Sequence, residues 1–501
     1  MGDQGRNNSG KTTDIRHVLL VYAPTYNEMK FYLPRVLRHS HTVVPPISIA
    51  YLAAYLRREL PELQIDAVDA EMTRDWNLVR QYFEQNRFDV IGVSTFTTNL
   101  FDSLRILKIA AEVRPEATRL LGGFHMMHYA EETMTHNCID FAFQGDSEES
   151  LALFLRKLGR NDDVRDVPGL VYRDGETVRI NPQQAGGDLD DLPFPEFPEL
   201  LAGRYYSFVD AERAVPIMTS RGCPFSCTYC SSQPFKMRKR SIANVLDEME
   251  FRKQQGARLI NVWDESINFQ PGRIKELCRG ILDRGLDIQF TGRARPDFID
   301  EEDVRLLAKA GCSRISFGID VTPEEVSRRY NRPIKLDHAQ DVMHWCTRHG
   351  LRHSANFLLG LEYDAESDTR QRIAHSLTYD VDLIQYNLLY YLPGTKIYND
   401  YVEASGTDPF RDYVLRPKED VHLPLCNSRM TVRRRIWLAR MAFLKAYLSP
   451  KGLLRQLSRN RYTRERPWEA AKAALSMLWF IIKRPTGKQV AELSVKRISV
   501  K

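Results

Sequence analysis

Thr219-Ser-Arg-Gly-Cys-Pro-Phe-Ser-Cys-Thr-Tyr-Cys-Ser231 places Cys223, Cys227 and Cys230 in the spacing C-x3-C-x2-C. Three thiolates this close can hold three irons of a [4Fe-4S] cube on one loop, and the fourth iron then has no local protein ligand. Zinc would want a fourth nearby Cys or His to close its tetrahedron. A disulfide pair with a spare thiol, or a zinc knuckle short of one ligand, is the plain alternative. The other cysteines, Cys138, Cys278, Cys312, Cys346 and Cys426, stand singly in apolar or helical stretches. That is no disulfide framework, and the N-terminus shows nothing like a secretory signal, so a reducing cytoplasm is the expected setting.

Outward from this loop the pattern is regular. From Val215 to about Tyr398, strand-like and helix-like runs alternate six times. The expected strands are Pro216–Ser220, Leu259–Trp263, Ile288–Gly292, Arg314–Gly318, Ser354–Leu359 and Leu383–Leu389. Such alternation predicts a parallel sheet with ligand-binding loops at the strand C-termini. Polar residues recur there: Asp264, Glu265 and Asn268 after the second strand, Arg293 and Arg295 after the third, Asp320 after the fourth.

The N-terminal part alternates as well, with expected strands His17–Tyr22, Gln64–Val68, Val90–Ser94, Arg119–Gly123 and Phe141–Gln144. Its candidate ligand loops hold Ser94 and Thr95, then Gly122, Gly123 and His125, then Gly145 and Glu148. Val167–Gly175 and Thr177–Pro182 read as a hairpin, and the Pro- and Gly-rich run Gly186–Pro198 reads as a joint. Gly5-Arg-Asn-Asn-Ser-Gly-Lys-Thr12 matches a phosphate-binding loop, but no apolar strand precedes it, so no nucleotide site is expected there.

The cysteine spacing, with Tyr229 just before Cys230, resembles the cluster loop of the radical S-adenosylmethionine (SAM) enzymes. The run Pro45–Ala53, Gly122-Gly-Phe-His125 and Gly145-Asp-Ser-Glu148 resemble the cobalamin-binding domain that precedes many of these enzymes. The resemblance implies an α/β chain: an N-terminal Rossmann-like cobalamin-binding domain, a partial (β/α)6 radical SAM barrel and a helical C-terminal extension. Expected divisions are a disordered tail over 1–15, the cobalamin-binding domain over 16–182, a linker over 183–214, the barrel over 215–410 and a basic helical region over 411–501.

It implies three cofactors: a [4Fe-4S] cluster on the three cysteines, SAM and cobalamin. Asp264, Glu265 or Asn268 would meet the SAM amino group, Arg293 or Arg295 its carboxylate, and Asp320 the ribose hydroxyls. Ser94, Thr95, Gly122, Gly123, His125, Gly145 and Glu148 would line the cobalamin site, the glycines letting backbone approach the flat corrin. The D-x-H-x-x-G motif that supplies a cobalt-ligating histidine in methionine-synthase-like domains is absent, so His125 is expected to touch the cofactor tail and not the metal.

Charge is uneven along the 501 residues. The segment 429–501 carries 19 Lys/Arg against 3 Asp/Glu, or +16, and the remainder is −10. Trp437, Met441, Leu444 and Leu448 fall at helical spacing, and a second helix is expected over 467–483. No apolar run reaches the roughly 18 residues needed to span a bilayer. The expectation is peripheral contact of 429–501 with anionic lipid on the inner membrane face, and hence an apolar substrate such as a lipid, terpenoid or tetrapyrrole. No nucleic-acid partner is expected, because the aromatics alternate with long aliphatics.

The expected activity is C-methylation of an unactivated carbon through a 5′-deoxyadenosyl radical and methylcobalamin, fed by an external flavodoxin- or ferredoxin-type electron donor. The alternatives are an oxidative cyclase of the anaerobic magnesium-protoporphyrin ester type and a non-catalytic cobalamin or redox sensor.

Overall fold

Short Val-, Ile- and Leu-rich runs bounded by polar loops become parallel strands whose helices cover the apolar face. The computed structural model describes residues 15–32, 42–43, 45–72, 75–184, 186–195, 197, 206–207, 214–232, 236–426, 429–459 and five positions between 467 and 478. The phosphate-loop-like stretch at 5–12 and nearly all of the helix expected over 467–483 lie outside the described residues. The chain forms two units. One comprises Met1–Lys30, Pro45–Gly203 and Asp408–Val421; the other comprises Phe31–Val44, Arg204–Thr407 and His422–Lys501.

The first unit is built on β1 (His17–Tyr22), α1 (Ile47–Glu59), β2 (Gln64–Asp69), α2 (Trp76–Gln85), β3 (Val90–Ser94), α3 (Leu100–Val113), β4 (Thr118–Gly122), α4 (Ala130–Thr133), β5 (Phe141–Phe143) and α5 (Glu148–Gly159). The hairpin β6 (Leu170–Asp174) and β7 (Thr177–Ile180) turns at Gly175, whose φ is +63°. It pairs antiparallel to β5 and extends the sheet to the order β2-β1-β3-β4-β5-β6-β7. Val18, Leu20, Ile49, Leu56, Val90 and Phe154 share one buried core. β1 lies between β2 and β3, so consecutive crossovers diverge there, and ligands of such sheets bind at that switch point.

The second unit continues with β8 (Ala214–Ile217), α6 (Ile242–Gln254), β9 (Leu259–Val262), α7 (Arg273–Asp283), β10 (Gln289–Ala294), α8 (Glu301–Lys309), β11 (Cys312–Asp320), α9 (Glu324–Arg329), α10 (Leu336–Arg348), β12 (His353–Leu359), α11 (Glu366–Ser376), β13 (Leu383–Leu388) and α12 (Lys396–Ser405). The strands pair in parallel in chain order, β8 to β13. This is the open six-stranded arrangement the alternation implied, with each crossover helix on one face.

α13 (Pro409–Leu415) belongs to the first unit. Its cap Asp408 accepts from Tyr129 Oη at 3.0 Å, and the Val414 carbonyl meets His136 Nε2 at 2.8 Å beside α4. The stretch 408–421 therefore rejoins the first unit, which composition alone did not signal.

α14 (Val432–Tyr447) and α15 (Pro450–Arg459) follow. The apolar side of α14 is turned into the protein: Ile436, Leu438, Ala439, Ala442, Phe443 and Ala446 are buried. Phe443 meets Tyr386 edge-on, and the Tyr447 hydroxyl donates to the Ile384 carbonyl at 2.6 Å while accepting from its N–H at 3.0 Å. The helix thus closes the exposed edge of β13. The buried side is not the stripe expected from the sequence: Trp437 is exposed, and Met441, Leu444 and Leu448 are half-buried. Trp437, on its outer side, lies under the Arg434 guanidinium at 4.1 Å. Among the described residues no helix is long and apolar enough to cross a membrane.

Candidate active site

The cysteine loop leaves the C-terminal end of β8 and is fixed to the loops of the neighbouring strands. Phe225 stacks on Phe298 at 5.4 Å and carries the Arg295 guanidinium at 4.2 Å. Asn331 donates to the Ser226 carbonyl at 3.1 Å. The Thr228 N–H donates to Tyr330 O at 3.0 Å, and the Ile397 N–H donates to Thr228 O at 3.1 Å. Tyr229 donates its hydroxyl to Asp320 at 3.1 Å. A loop held at successive residues from four other segments is preorganised for a rigid guest.

Cys223, Cys227 and Cys230 are half-buried thiols, none of them in a disulfide. Burial pushes all three up, Cys227 to about 11 against the pull of Arg332 and Arg295, so their deprotonation waits on a metal. Among the described residues no three His, Cys, Asp or Glu side chains gather as a site for a single metal ion. A cube gives each thiolate its own iron, so the donor set fits a cluster. Thr228 Oγ1, between Cys227 and Cys230, is buried without a partner and offers a spare donor to such a guest.

Of the residues expected to meet SAM, the structure brings Glu265 and Arg293 to the open surface beside this loop. Glu265 is exposed and raises Cys223 and Cys230 by its charge. Arg293 is exposed, lies over Trp263 at 5.2 Å and donates to the carbonyls of Trp263 and Asp264, which leaves further N–H groups for an anion.

Asp264, Asn268 and Arg295 are occupied elsewhere, a correction to the sequence expectation, whereas Asp320 keeps Oδ1 without a protein partner among the described residues. Asp264 is buried, accepting from the Thr219 N–H at 2.7 Å and the Ser220 hydroxyl at 2.7 Å. Asn268 is buried, bonding both the N–H and the carbonyl of Arg295. Arg295 pairs with Asp297 at 2.5 Å and packs on Phe225, so it supports the cysteine loop. Asp320, at φ +59°, accepts from Tyr229 and from Arg332 Nε at 3.1 Å.

Sequence reasoning missed Glu362. It follows β12 and accepts from the Tyr391 hydroxyl at 3.2 Å, while its N–H donates to the Tyr330 hydroxyl at 3.2 Å. Burial pushes its carboxyl above the ordinary range. The signal was available, since Gly360-Leu-Glu-Tyr-Asp364 is the loop after an expected strand.

In the first unit the candidate cobalamin residues all fall at the C-terminal ends of β3, β4 and β5. Phe96, 45% exposed, tilts against Phe124 at 6.4 Å, and a Cβ at Gly122 would meet nothing within 4 Å. This open edge with a flat apolar face fits a corrin. A cavity of about 440 Å³ lined by Tyr26, Asn27, Trp76 and Arg105 lies in the same unit.

Other members differ from the expectation. Gly123, at φ +99°, is needed internally, because a Cβ there would stand 2.5 Å from the Thr95 carbonyl oxygen. The Gln183 side chain lies over Gly145, where a Cβ would come within 2.5 Å of its Oε1. Thr95 is buried and accepts from Ser103 at 2.6 Å, and Glu148 is buried at the start of α5. Ser94 is half-buried at the end of β3.

His125 is fully buried, a correction to its expected contact with the cofactor tail. Thr133 donates its proton to the Tyr129 carbonyl, so His125 Nε2–H must donate to Thr133 Oγ1 at 2.7 Å. Nδ1 then accepts from Thr97 Oγ1 at 2.9 Å. Burial, with His128 and His136 nearby, pushes it down to about 3. The folded chain therefore binds fewer protons here than the unfolded chain between about pH 6.5 and 3, so stability falls as pH drops through that window. Replacing His125 by Asn is expected to flatten that fall by on the order of a few kcal/mol. Denaturant titrations of both proteins across the window check it; parallel curves refute it.

The Radical SAM superfamily profile matches residues 217–373, and the B12 binding domain profile matches residues 35–155. An uncharacterized methyltransferase of Pyrococcus horikoshii is 24% identical over 452 residues, covering 88% of this chain and 95% of its own. The anaerobic magnesium-protoporphyrin IX monomethyl ester cyclase of Rubrivivax gelatinosus is 24% identical over 420 residues, covering 80% of this chain and 75% of its own. In fold, the chain is similar to the radical S-adenosylmethionine methyltransferase TsrM of Kitasatospora setae, with TM-score 0.64, 17% identity, and 96% and 93% of the two chains covered. Residues 217–373 are thus a radical SAM domain and residues 35–155 a B12-binding domain that precedes it, the arrangement of cobalamin-dependent radical SAM enzymes. The chain's cofactors are a [4Fe-4S] cluster, SAM and cobalamin.

Proposed function

We propose that the chain transfers a methyl group from SAM to an unactivated carbon of a small molecule, with Cys223, Cys227 and Cys230 as the cluster ligands. The observation that carries this reading is the cysteine loop itself: three thiols and no fourth cysteine, pinned by Phe225, Ser226, Thr228 and Tyr229. When bound, the cluster supplies the electron that cleaves SAM, and cobalamin supplies the methyl donor. The chain's own part is to hold and orient. Arg293 would hold the SAM carboxylate with its remaining N–H groups, and Glu265 would accept from the SAM ammonium. Asp320, oriented by Tyr229 and Arg332, keeps a carboxylate oxygen for the ribose.

Oxidative ring closure is the second reading, favoured by the similarity to the Rubrivivax cyclase. Reduced, anaerobic holoenzyme with methyl-labelled SAM separates the two. Methyl transfer yields 5′-deoxyadenosine together with labelled product. Ring closure yields 5′-deoxyadenosine with no label in product. Absence of 5′-deoxyadenosine in the presence of substrate refutes both and leaves a sensor.

A further inference from the structure

The second unit's sheet is two-faced. One side carries Ile260, Phe290, Phe317, Phe357 and Tyr386, all fully buried. The opposite side carries hydroxyls and amides in lateral register. Asn261 pairs with Thr291, Ser316 with Ser354, and Asn356 with Gln385. A sheet face that only had to fill a core would be apolar there too, because a buried polar group is costly unless it finds a partner.

Most of these groups do bond one another. Thr291 donates to Asn261 at 3.2 Å, Ser354 donates to Ser316 at 3.0 Å, and Asn356 donates to Ser316 at 3.0 Å and to the Phe317 carbonyl at 3.1 Å. Two do not. Gln385 and Asn387, successive residues on this face of β13, are half-buried, and their side-chain amides have no hydrogen-bond partner among the described residues. Each offers one acceptor and two donors. Arg293 belongs to the same face, opposite Ser316 in register, so the unpaired amides are continuous with the edge that presents the SAM-facing residues.

We propose that this face is the substrate site and that the part of the substrate it recognises is polar: an amide, hydroxyl or heterocyclic nitrogen that exchanges hydrogen bonds with Gln385 and Asn387. The proposal rests on the reading of the chain as a radical SAM enzyme and does not need methyl transfer. It departs from the apolar substrate expected from the basic tail. A site built to hydrogen-bond rejects a ligand lacking the polar group, because its own amides are then stripped of water with nothing in return.

The test uses anaerobic holoenzyme, methyl-labelled SAM and the two phases of a chloroform–methanol–water extract of the source cells. The aqueous phase is expected to raise 5′-deoxyadenosine formation by about tenfold or more over the organic phase. In Gln385→Leu and Asn387→Leu the dose of aqueous phase for half-maximal stimulation is expected to rise by about tenfold, with cluster and corrin absorbance kept. Stimulation by the organic phase alone, or by both equally, overturns the proposal whether or not the variants fold. Aqueous stimulation with no label in product leaves the polar site standing and removes methyl transfer.

Discussion

Replacing Cys227 by alanine removes SAM cleavage, with a loss on the order of a thousandfold or more, down to background. One thiolate per iron is the reason. With Cys227 gone, two corners of the cube lack protein ligands, and the cluster sheds iron or does not assemble. The loop has no substitute donor. Thr228 Oγ1 is a neutral hydroxyl, and Cys426, which feels the charge of Glu362, is fully buried with its thiol held well above the ordinary range by burial and by that carboxylate.

Cys346→Ala is the matched control. Cys346 is buried in α10 and acts as a small apolar side chain, so its loss costs about 1 kcal/mol and leaves iron content unchanged. Iron analysis, absorbance near the cluster band and 5′-deoxyadenosine yield check the pair. A Cys227→Ala protein that still carries a full cluster and still cleaves SAM contradicts the assignment of these three residues.

The strands were legible because parallel strands packed under helices read as short apolar runs. Leu259–Trp263 was expected and Leu259–Val262 is found; Ser354–Leu359 was expected and His353–Leu359 is found. The direction in which each loop side chain turns was not legible, because it depends on partners distant in sequence. Asp264 bonds Thr219, 45 residues earlier, and Arg332 reaches Asp297, 35 residues earlier, at 3.4 Å. A carboxylate after a strand reads the same whether it faces a ligand or folds back. The helix of the tail was equally ambiguous. Its amphipathic pattern predicts a surface to cover, and only the open edge of β13 shows what it covers.

Asp264→Ala is expected to lower stability by roughly 2–4 kcal/mol and to cut iron loading, while Asp264→Asn costs about 1 kcal/mol. The difference follows from which donors can turn. The Asp264 carboxylate serves two backbone N–H groups, of Thr219 at 2.7 Å and Ser220 at 3.3 Å, and the hydroxyls of the same two residues. Asn keeps one oxygen for the N–H groups, and the hydroxyls can rotate to accept from its amide. Ala leaves the N–H groups buried and unpaired, on the two residues that lead into Gly222 and Cys223.

Charge acts in the same direction. Burial pushes the Asp264 carboxyl up, so the folded chain holds this proton longer than the unfolded chain and folding stability falls as pH rises from the unfolded carboxylate range through the raised value; Asn is spared that cost. The role is therefore positional, and it is separable from ligand contact. If Asp264 met the SAM ammonium, Asp264→Asn would raise the KM for SAM at constant iron content. If Asp264 orients the entry to the cysteine loop, Asp264→Ala lowers iron per chain and the denaturation midpoint, and the clusters that do form keep the wild-type KM. Wild-type iron loading in Asp264→Ala eliminates the positional role.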